Sequence, residues 1–216
     1  MNLFKKEQED VKVIRPPALG WLEKKLSEKE LDYLWRCIDD RKKSFKHNLA
    51  GQIHESNTLT DKSDWFWINT LKPLCKEYYE AFDNLGLDIP VNQNHPYILD
   101  SFWVNYQKQG EFNPLHDHGG VYSFVIWMKI PTKHFEQNKN PISLKSNTHV
   151  ISAFQFQYTN ILGKIQPYDY KMNPEMEGTI LFFPSQLLHC VYPFFNCDED
   201  RISISGNISL NTAKTA

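Results

Sequence analysis

Two imidazoles stand two residues apart in the stretch Gly110-Glu111-Phe112-Asn113-Pro114-Leu115-His116-Asp117-His118-Gly119-Gly120. The run Val121 to Ile130 follows directly; it is β-branched and aromatic with no helical period, which predicts a strand. Side chains two apart on extended backbone point to the same face. His116 and His118 can therefore aim at one point at a strand end, with Asp117 aimed away. Two such imidazoles can take two positions on a divalent metal, for which His is the commonest side-chain ligand. A third ligand has to come from another part of the chain. The best candidate is His189, which follows a predicted strand (Gly178 to Pro184) and a tight turn, where a jelly roll brings a late strand back beside an early one.

Three imidazoles would leave open positions on an octahedral ion, and open positions distinguish a catalytic metal from a structural one. The usual non-haem iron oxygenase site has two His and one carboxylate. Here the residue on the expected face is His118, and Asp117 could serve only if a bulge re-aimed it. Twelve residues after His189 comes Arg201-Ile202-Ser203-Ile204-Ser205. Arg201 and Ser203 share one strand face. A buried guanidinium wants a planar carboxylate and can grip it through two parallel hydrogen bonds, and a Ser hydroxyl adds a third. Together they would hold the far carboxylate of a dicarboxylate co-substrate. The remaining histidines, His47, His54, His95, His134 and His149, read as structural or solvated. Trp103 and Trp127 read as core.

These side chains need a framework. Ser27-Glu28-Lys29-Glu30 is a capping box that starts a helix. Leu31, Leu34, Trp35 and Ile38 follow at helical spacing, which predicts a helix to about Lys43. Residues 48–55 read as a loop or short hairpin, kept irregular beyond it by Asn57, Thr58 and Thr60. A second helical region starts near Asp64, with an apolar stripe through Phe66, Leu71, Leu74, Tyr78 and Phe82. Pro73 kinks it or restarts it, and Gly86 sits where a C-cap belongs. After a linker from Pro90 to Pro96 the pattern changes to strands: Ile98 to Tyr106, Val121 to Ile130, Val150 to Tyr158, Lys164 to Tyr170, Gly178 to Pro184, Cys190 to Phe194 and Arg201 to Leu210. Residues 132–147 read as a polar loop. Many short strands with Gly and Pro turns predict a sandwich or barrel. The expected organisation is a helical flank over residues 1–96, starting with an extended arm through Pro16 and Pro17, and a β core over residues 97–216.

The chain has 216 residues, enough for one domain with a sizeable core. Aromatic residues make up 14% and the formal net charge is −2, which argues for a globular protein and against disorder. No strongly basic face of the nucleic-acid-binding kind is present. The cluster Arg41-Lys42-Lys43 is balanced by Asp39 and Asp40, and reads as a solvated helix end. No apolar stretch is long enough to span a bilayer, and the start has no apolar segment of the signal-peptide kind. Cys37, Cys75, Cys190 and Cys197 make no CxxC pair and read as reduced thiols of a cytoplasmic protein.

These motifs resemble the 2-oxoglutarate- and Fe(II)-dependent oxygenases, in their prolyl-hydroxylase-like branch. More narrowly, the chain resembles the 2-oxoglutarate oxygenases common in marine bacteria and their phages. The resemblance rests on the His-x-His motif followed by a strand ending Lys129-Ile130-Pro131. It rests also on Gly178, Phe183-Pro184-Ser185, His189, Val191 and Pro193, and on the closing Arg201 to Asn207. Tyr106 and Gly110, followed by His116-Asp117-His118, match the Tyr, Gly, His-x-Asp order of prolyl hydroxylases. The resemblance covers about residues 97–210. It implies an α+β, mainly β fold: a double-stranded β-helix (jelly roll, cupin-like) with N-terminal helices packed on one sheet. It implies His116 and His189 as iron ligands, His118 in place of the acidic ligand, Arg201 on the far carboxylate of 2-oxoglutarate helped by Ser203, and Tyr106 near the co-substrate. Beyond the metal centre it names no catalytic residue.

The function so implied is hydroxylation of a small molecule or a protein side chain, using Fe(II), 2-oxoglutarate and O2, with release of succinate. Two rivals are set against it: a three-His cupin-like metalloenzyme that needs no 2-oxoglutarate, and a jelly-roll binding module without turnover. Exposed strand edges allow a homodimer.

Overall fold

The computed structural model describes residues 18–41, 44–82, 85–89 and 95–213. The arm through Pro16 and Pro17, Lys42 and Lys43 of the basic cluster, and the linker residues 90–94 lie outside the described residues. In chain order the elements are β1 (Leu22–Lys25), α1 (Glu28–Asp39), β2 (Glu55–Thr58), α2 (Lys72–Phe82), β3 (Tyr97–Gln107), β4 (Asn113–His116), β5 (Tyr122–Lys129), the one-turn α3 (His134–Gln137), β6 (Phe154–Thr159), β7 (Ile165–Tyr170), β8 (Thr179–Pro184), β9 (Leu188–Val191) and β10 (Arg201–Leu210). They build two antiparallel sheets, one of six strands in the order β1-β8-β5-β10-β3-β2 and one of four in the order β4-β9-β6-β7. This is the double-stranded β-helix, mainly β with few helices.

Both faces of the large sheet are covered, and this explains the unbroken apolar run of β5. Tyr122, Phe124, Ile126 and Met128 join Phe182 and Ile204 in a core with Leu34 and Ile38 of α1 and Leu74 and Tyr78 of α2. Val125 and Trp127 face the small sheet, and pack with Phe154, Phe156, Tyr170 and Phe183. α1 and α2 thus lie on one face and the small sheet on the other.

The capping box forms as the sequence predicts. The Ser27 backbone N–H donates to Glu30 at 2.8 Å, and Lys24 and Thr70 donate to the same carboxylate at 2.9 and 2.8 Å. Burial alone would raise this carboxyl, but these bonds outweigh it and hold the pKa at about 2. One side chain so ties β1, the start of α1 and the segment before α2. Pro73 does restart the second helix. A wide π turn over Trp67–Leu71, closed by the Lys72 N–H on the Trp67 carbonyl, precedes it. Proline lacks the N–H that a continuous helix would need there.

Several expectations are corrected. α1 ends at Asp39, earlier than Lys43. Glu55–Thr58 is a strand, although Asn57 and Thr58 suggested irregular chain: it pairs with β3 as the last strand of the sheet, with a single bridge from Ser44 to Asn57 on its outer side, and needs no apolar alternation. Leu22–Lys25 forms the other edge, beside β8. Both edge strands come from the stretch assigned to the helical flank. The polar segment after Pro131 contains the helical turn α3. β6 starts at Phe154 rather than Val150, and β9 spans Leu188–Val191 rather than Cys190 to Phe194. All four cysteines are free thiols. Among the described residues no helix is long and apolar enough to cross a membrane.

Candidate metal centre and anion pocket

β4 ends at His116, and β9 carries His189 as its direct Cα partner. His118 follows two residues later in the turn that leads to β5. The strand end that presents the pair is therefore that of β4, a short strand the sequence reading did not separate, and not the start of β5. The convergence holds nonetheless. One ring nitrogen from each of His116, His118 and His189 lies within 4.8 Å of the others. Asp117 is exposed at the cavity wall and stands outside this group.

The tautomers of two rings follow from their partners. His116 Nδ1 lies 2.7 Å from the Pro114 carbonyl, and His189 Nδ1 lies 2.8 Å from the Leu187 carbonyl. A carbonyl can only accept, so each Nδ1 carries the proton and each Nε2 keeps a free lone pair. Both rings are held by the carbonyl two residues earlier, as an orienting partner holds a metal-ligating histidine. Burial, with His116 adding to it, pushes His118 down to about 4 against the opposing pull of Asp117. Burial beside the other two rings pushes His189 well below its ordinary value. These two rings are neutral at pH 7, the form a metal requires.

The same cavity, about 200 Å³, is lined by Arg201, Ser203 and Ser205 of β10 and by Trp103, Asn105 and Gln107 of β3. Arg201 is 2% exposed. Its guanidinium donates to Gln107 Oε1 at 3.3 Å, to the Ser152 carbonyl at 3.2 Å and to Ser152 Oγ at 2.5 Å. Ser152 sits at φ 60°, and this left-handed turn aims its carbonyl and its hydroxyl at one nitrogen. Phe194 covers the guanidinium at 4.9 Å. Arg201 Nε is buried without a partner, and among the described residues no carboxylate pairs with this cation. Burial pulls its pKa down to about 9, so it remains charged at pH 7.

Tyr106 is a correction. The pocket side of β3 carries Trp103, Asn105 and Gln107, so Tyr106 points to the opposite face. There it packs against the helical core and beneath the Arg41 guanidinium, at 5.3 Å. Gln107, missed in the sequence, is the β3 residue paired with Arg201. Strand parity could have found it, since the neighbour of a pocket-facing residue on an antiparallel strand faces the same way. Leu49, Ala50, Gly51 and Ile53 also line the cavity; nothing in their types signals it. Trp103 and Trp127 are buried, as core residues should be, and both line the cavity as well. Among the other histidines, His54 pairs with Glu111 at 3.1 Å and His134 is buried against the His149 carbonyl at 2.9 Å.

Residues 101–207 match the family described as "Putative 2OG-Fe(II) oxygenase". A Pseudomonas putida prolyl-4-hydroxylase crystal structure is similar in fold, with a TM-score of 0.53 over 89% of this chain and 94% of that one at 13% identity. In sequence, the ribosomal RNA large subunit methyltransferases K/L of Shewanella sediminis and Shewanella woodyi are each 26% identical over 134 residues, 62% of this chain. The chain spans only 17% of the length of those two proteins.

Proposed function

Because the chain belongs to the 2-oxoglutarate- and Fe(II)-dependent oxygenase superfamily, we propose that it oxidises a C–H bond of a small molecule or a protein side chain, at the expense of 2-oxoglutarate and O2. The observation that carries this reading is the coexistence, in one cavity, of three clustered imidazoles and a buried guanidinium that has no carboxylate partner among the described residues. The donor set fits a divalent ion: two rings have Nδ1 occupied and Nε2 free, and all three stand on one side of the pocket wall formed by β4, β9 and the turn after β4.

His116, His118 and His189 would hold the metal. Iron(II), when bound, supplies the redox chemistry that couples decarboxylation of 2-oxoglutarate to oxidation of the substrate. Arg201 would bind the far carboxylate of 2-oxoglutarate. A buried cation without an anion is costly, and a dicarboxylate entering the cavity supplies the missing charge. Ser203, two residues along the same face, would add a hydrogen bond. Gln107 and Ser152 hold the guanidinium in place, so that its orientation precedes binding. The walls of Trp103, Trp127, Val125 and Phe154 exclude water from the reacting groups. Imidazoles bind a metal in their neutral form, so the negative charge at the site would come from bound 2-oxoglutarate.

The test is 2-oxoglutarate binding and turnover in iron-loaded protein prepared without oxygen. Binding with wild-type Arg201, its loss in Arg201→Ala, and succinate formation on admitting O2 are the expected results. Binding of metal with no binding of 2-oxoglutarate would favour the three-His metalloenzyme instead, and a site that takes neither would favour a binding module.

A further inference from the structure

Two residues of the sequence motifs have no part in holding metal or anion: Ser185 of Phe183-Pro184-Ser185, and Asn207 at the end of the Arg201 motif. They meet through Ser123 of β5. Ser123 is the Cα partner of Asn207 across β5 and β10, and its hydroxyl donates to Asn207 Oδ1 at 2.8 Å. The Ser123 and Ser185 hydroxyls lie 3.0 Å apart. Ser123 has one proton, and it goes to the amide oxygen, so the Ser185 hydroxyl is the donor of the second bond. Both serines are 1% exposed.

Ser185 also binds the turn that carries His118. Its carbonyl accepts from the His118 backbone N–H at 2.9 Å, and its N–H donates to the Val121 carbonyl at 3.0 Å. Val121 N–H in turn donates to Ile208 of β10 at 2.8 Å, and Gly120, at φ +101°, lies where an added Cβ would meet the Ile208 carbonyl at 2.8 Å. In the other direction Ser185 is the first residue after β8, on the short turn into β9 and His189. One residue therefore stands between the two chain segments that must bring His118 and His189 together.

We propose that Ser123, Ser185 and Asn207 are positioning residues for the metal centre, a buried hydrogen-bonded bracket that fixes the His118 turn against the β8–β9 turn. This inference rests on the metal centre proposed above. The bracket touches neither metal nor co-substrate; it acts through the backbone that carries two of the three imidazoles. A buried hydroxyl that loses its partner costs the network more than one bond, and metal sites respond to such outer partners by about 10–100-fold in affinity.

Cobalt(II) is the probe, because its visible spectrum reports ligand number and geometry without turnover. Ser185→Ala and Asn207→Leu should each weaken Co(II) binding by about tenfold or more and change the spectrum. Asn207→Asp, which keeps the acceptor oxygen, should restore wild-type affinity and spectrum. Thermal unfolding of the metal-free proteins shows whether each variant is folded. Should Ser185→Ala not fold, the Asn207→Leu and Asn207→Asp pair decides alone. Wild-type Co(II) affinity and spectrum in folded Asn207→Leu would overturn the bracket while leaving the metal centre standing. Wild-type protein that binds no Co(II) would overturn the metal centre and the bracket with it.

Discussion

His116 and His189 are Cα partners across β4 and β9, their ring centroids 4.3 Å apart, and each donates its Nδ1–H to the carbonyl two residues before it. Backbone pairing thus sets the separation of the two rings, and a local turn sets the orientation of each. Neither ring needs the other to hold its place, so the metal-free site is already close to binding form. His118 differs: it comes from a turn, its backbone N–H is anchored on Ser185, and its ring packs beside Trp103 without a hydrogen bond among the described residues.

The first prediction follows from this difference. His116→Ala or His189→Ala should abolish measurable Co(II) binding, since each removes a pre-oriented Nε2. His118→Ala should leave weak binding, because two oriented imidazoles remain. Titration of metal-free protein with Co(II), with circular dichroism to verify the fold, measures all three. Equal losses at the three positions would show that the strand pairing has no special part in assembling the site.

Arg201 makes an unusual stability prediction. Its guanidinium is buried with Nε unpartnered and no acid beside it among the described residues. Removing a buried charge with no counter-ion removes its desolvation cost, which offsets the donors that Gln107 and Ser152 lose. Arg201→Met should therefore leave the metal-free protein as stable as wild type or more so. The same change should cost 2-oxoglutarate affinity about 2–5 kcal/mol, the usual loss when one partner of a buried charge pair is removed. Thermal melts with and without 2-oxoglutarate separate the two effects. A variant that is both destabilised and still responsive to 2-oxoglutarate would refute the assignment.

The buried imidazoles also set a pH dependence. In the unfolded chain a histidine protonates near 6.5, whereas folded His118 resists protonation down to about 4 and His189 lies well below its ordinary value too. Both shifts are downward, so the unfolded state binds more protons than the folded state below 6.5. Stability from these rings is complete above that pH and is lost progressively as pH falls towards 4. Glu30 adds the carboxylate counterpart, its stabilisation present above the ordinary 4.5 and lost as pH falls towards 2. Melting temperatures of metal-free protein in chelator should therefore fall in two stages on acidification. His118→Gln should flatten the upper stage, between 6.5 and 4, and Glu30→Gln the lower.

How far the sequence carried these conclusions depended on what kind of signal each residue leaves. The clustering of His116, His118 and His189 was legible, because ligand chemistry restricts residue type and because a jelly roll returns late strands beside early ones. Arg201 was legible for the same reason, as a cation at a fixed offset on a strand. Tyr106 was misplaced because a motif position was taken without its strand parity; the parity of Arg201 and its partner Gln107 would have turned Tyr106 to the helical face. β2 was hidden because an edge strand can be polar on both faces. The wall Leu49 to Ile53 was hidden because small and aliphatic residues carry no chemistry that marks them as lining a site.

That wall yields the last prediction. Gly51 approaches Asn113 so closely that an added Cβ would lie 1.9 Å from Asn113 Oδ1, and Asn113 stands on β4 three residues before His116. The carboxamide oxygen is itself buried without a partner. The segment is fastened beside it by the Gln52 N–H on the Phe112 carbonyl, at 2.8 Å. Gly51→Ala must push the segment or the carboxamide aside, an overpacking that costs about 1–3 kcal/mol. The cost falls on a segment outside the sheets, so it should appear as local opening and not as global unfolding. The Gln52 amide should exchange its hydrogen about tenfold faster or more, while the amides of β10 keep wild-type protection. Adding Asn113→Ala removes the collision and should return the Gln52 exchange towards wild type, a coupling that a double-mutant cycle reads directly. Unchanged exchange at Gln52 in the single variant would mean that the Asn113 side chain turns away freely, and that Gly51 is not what holds this wall against the metal centre.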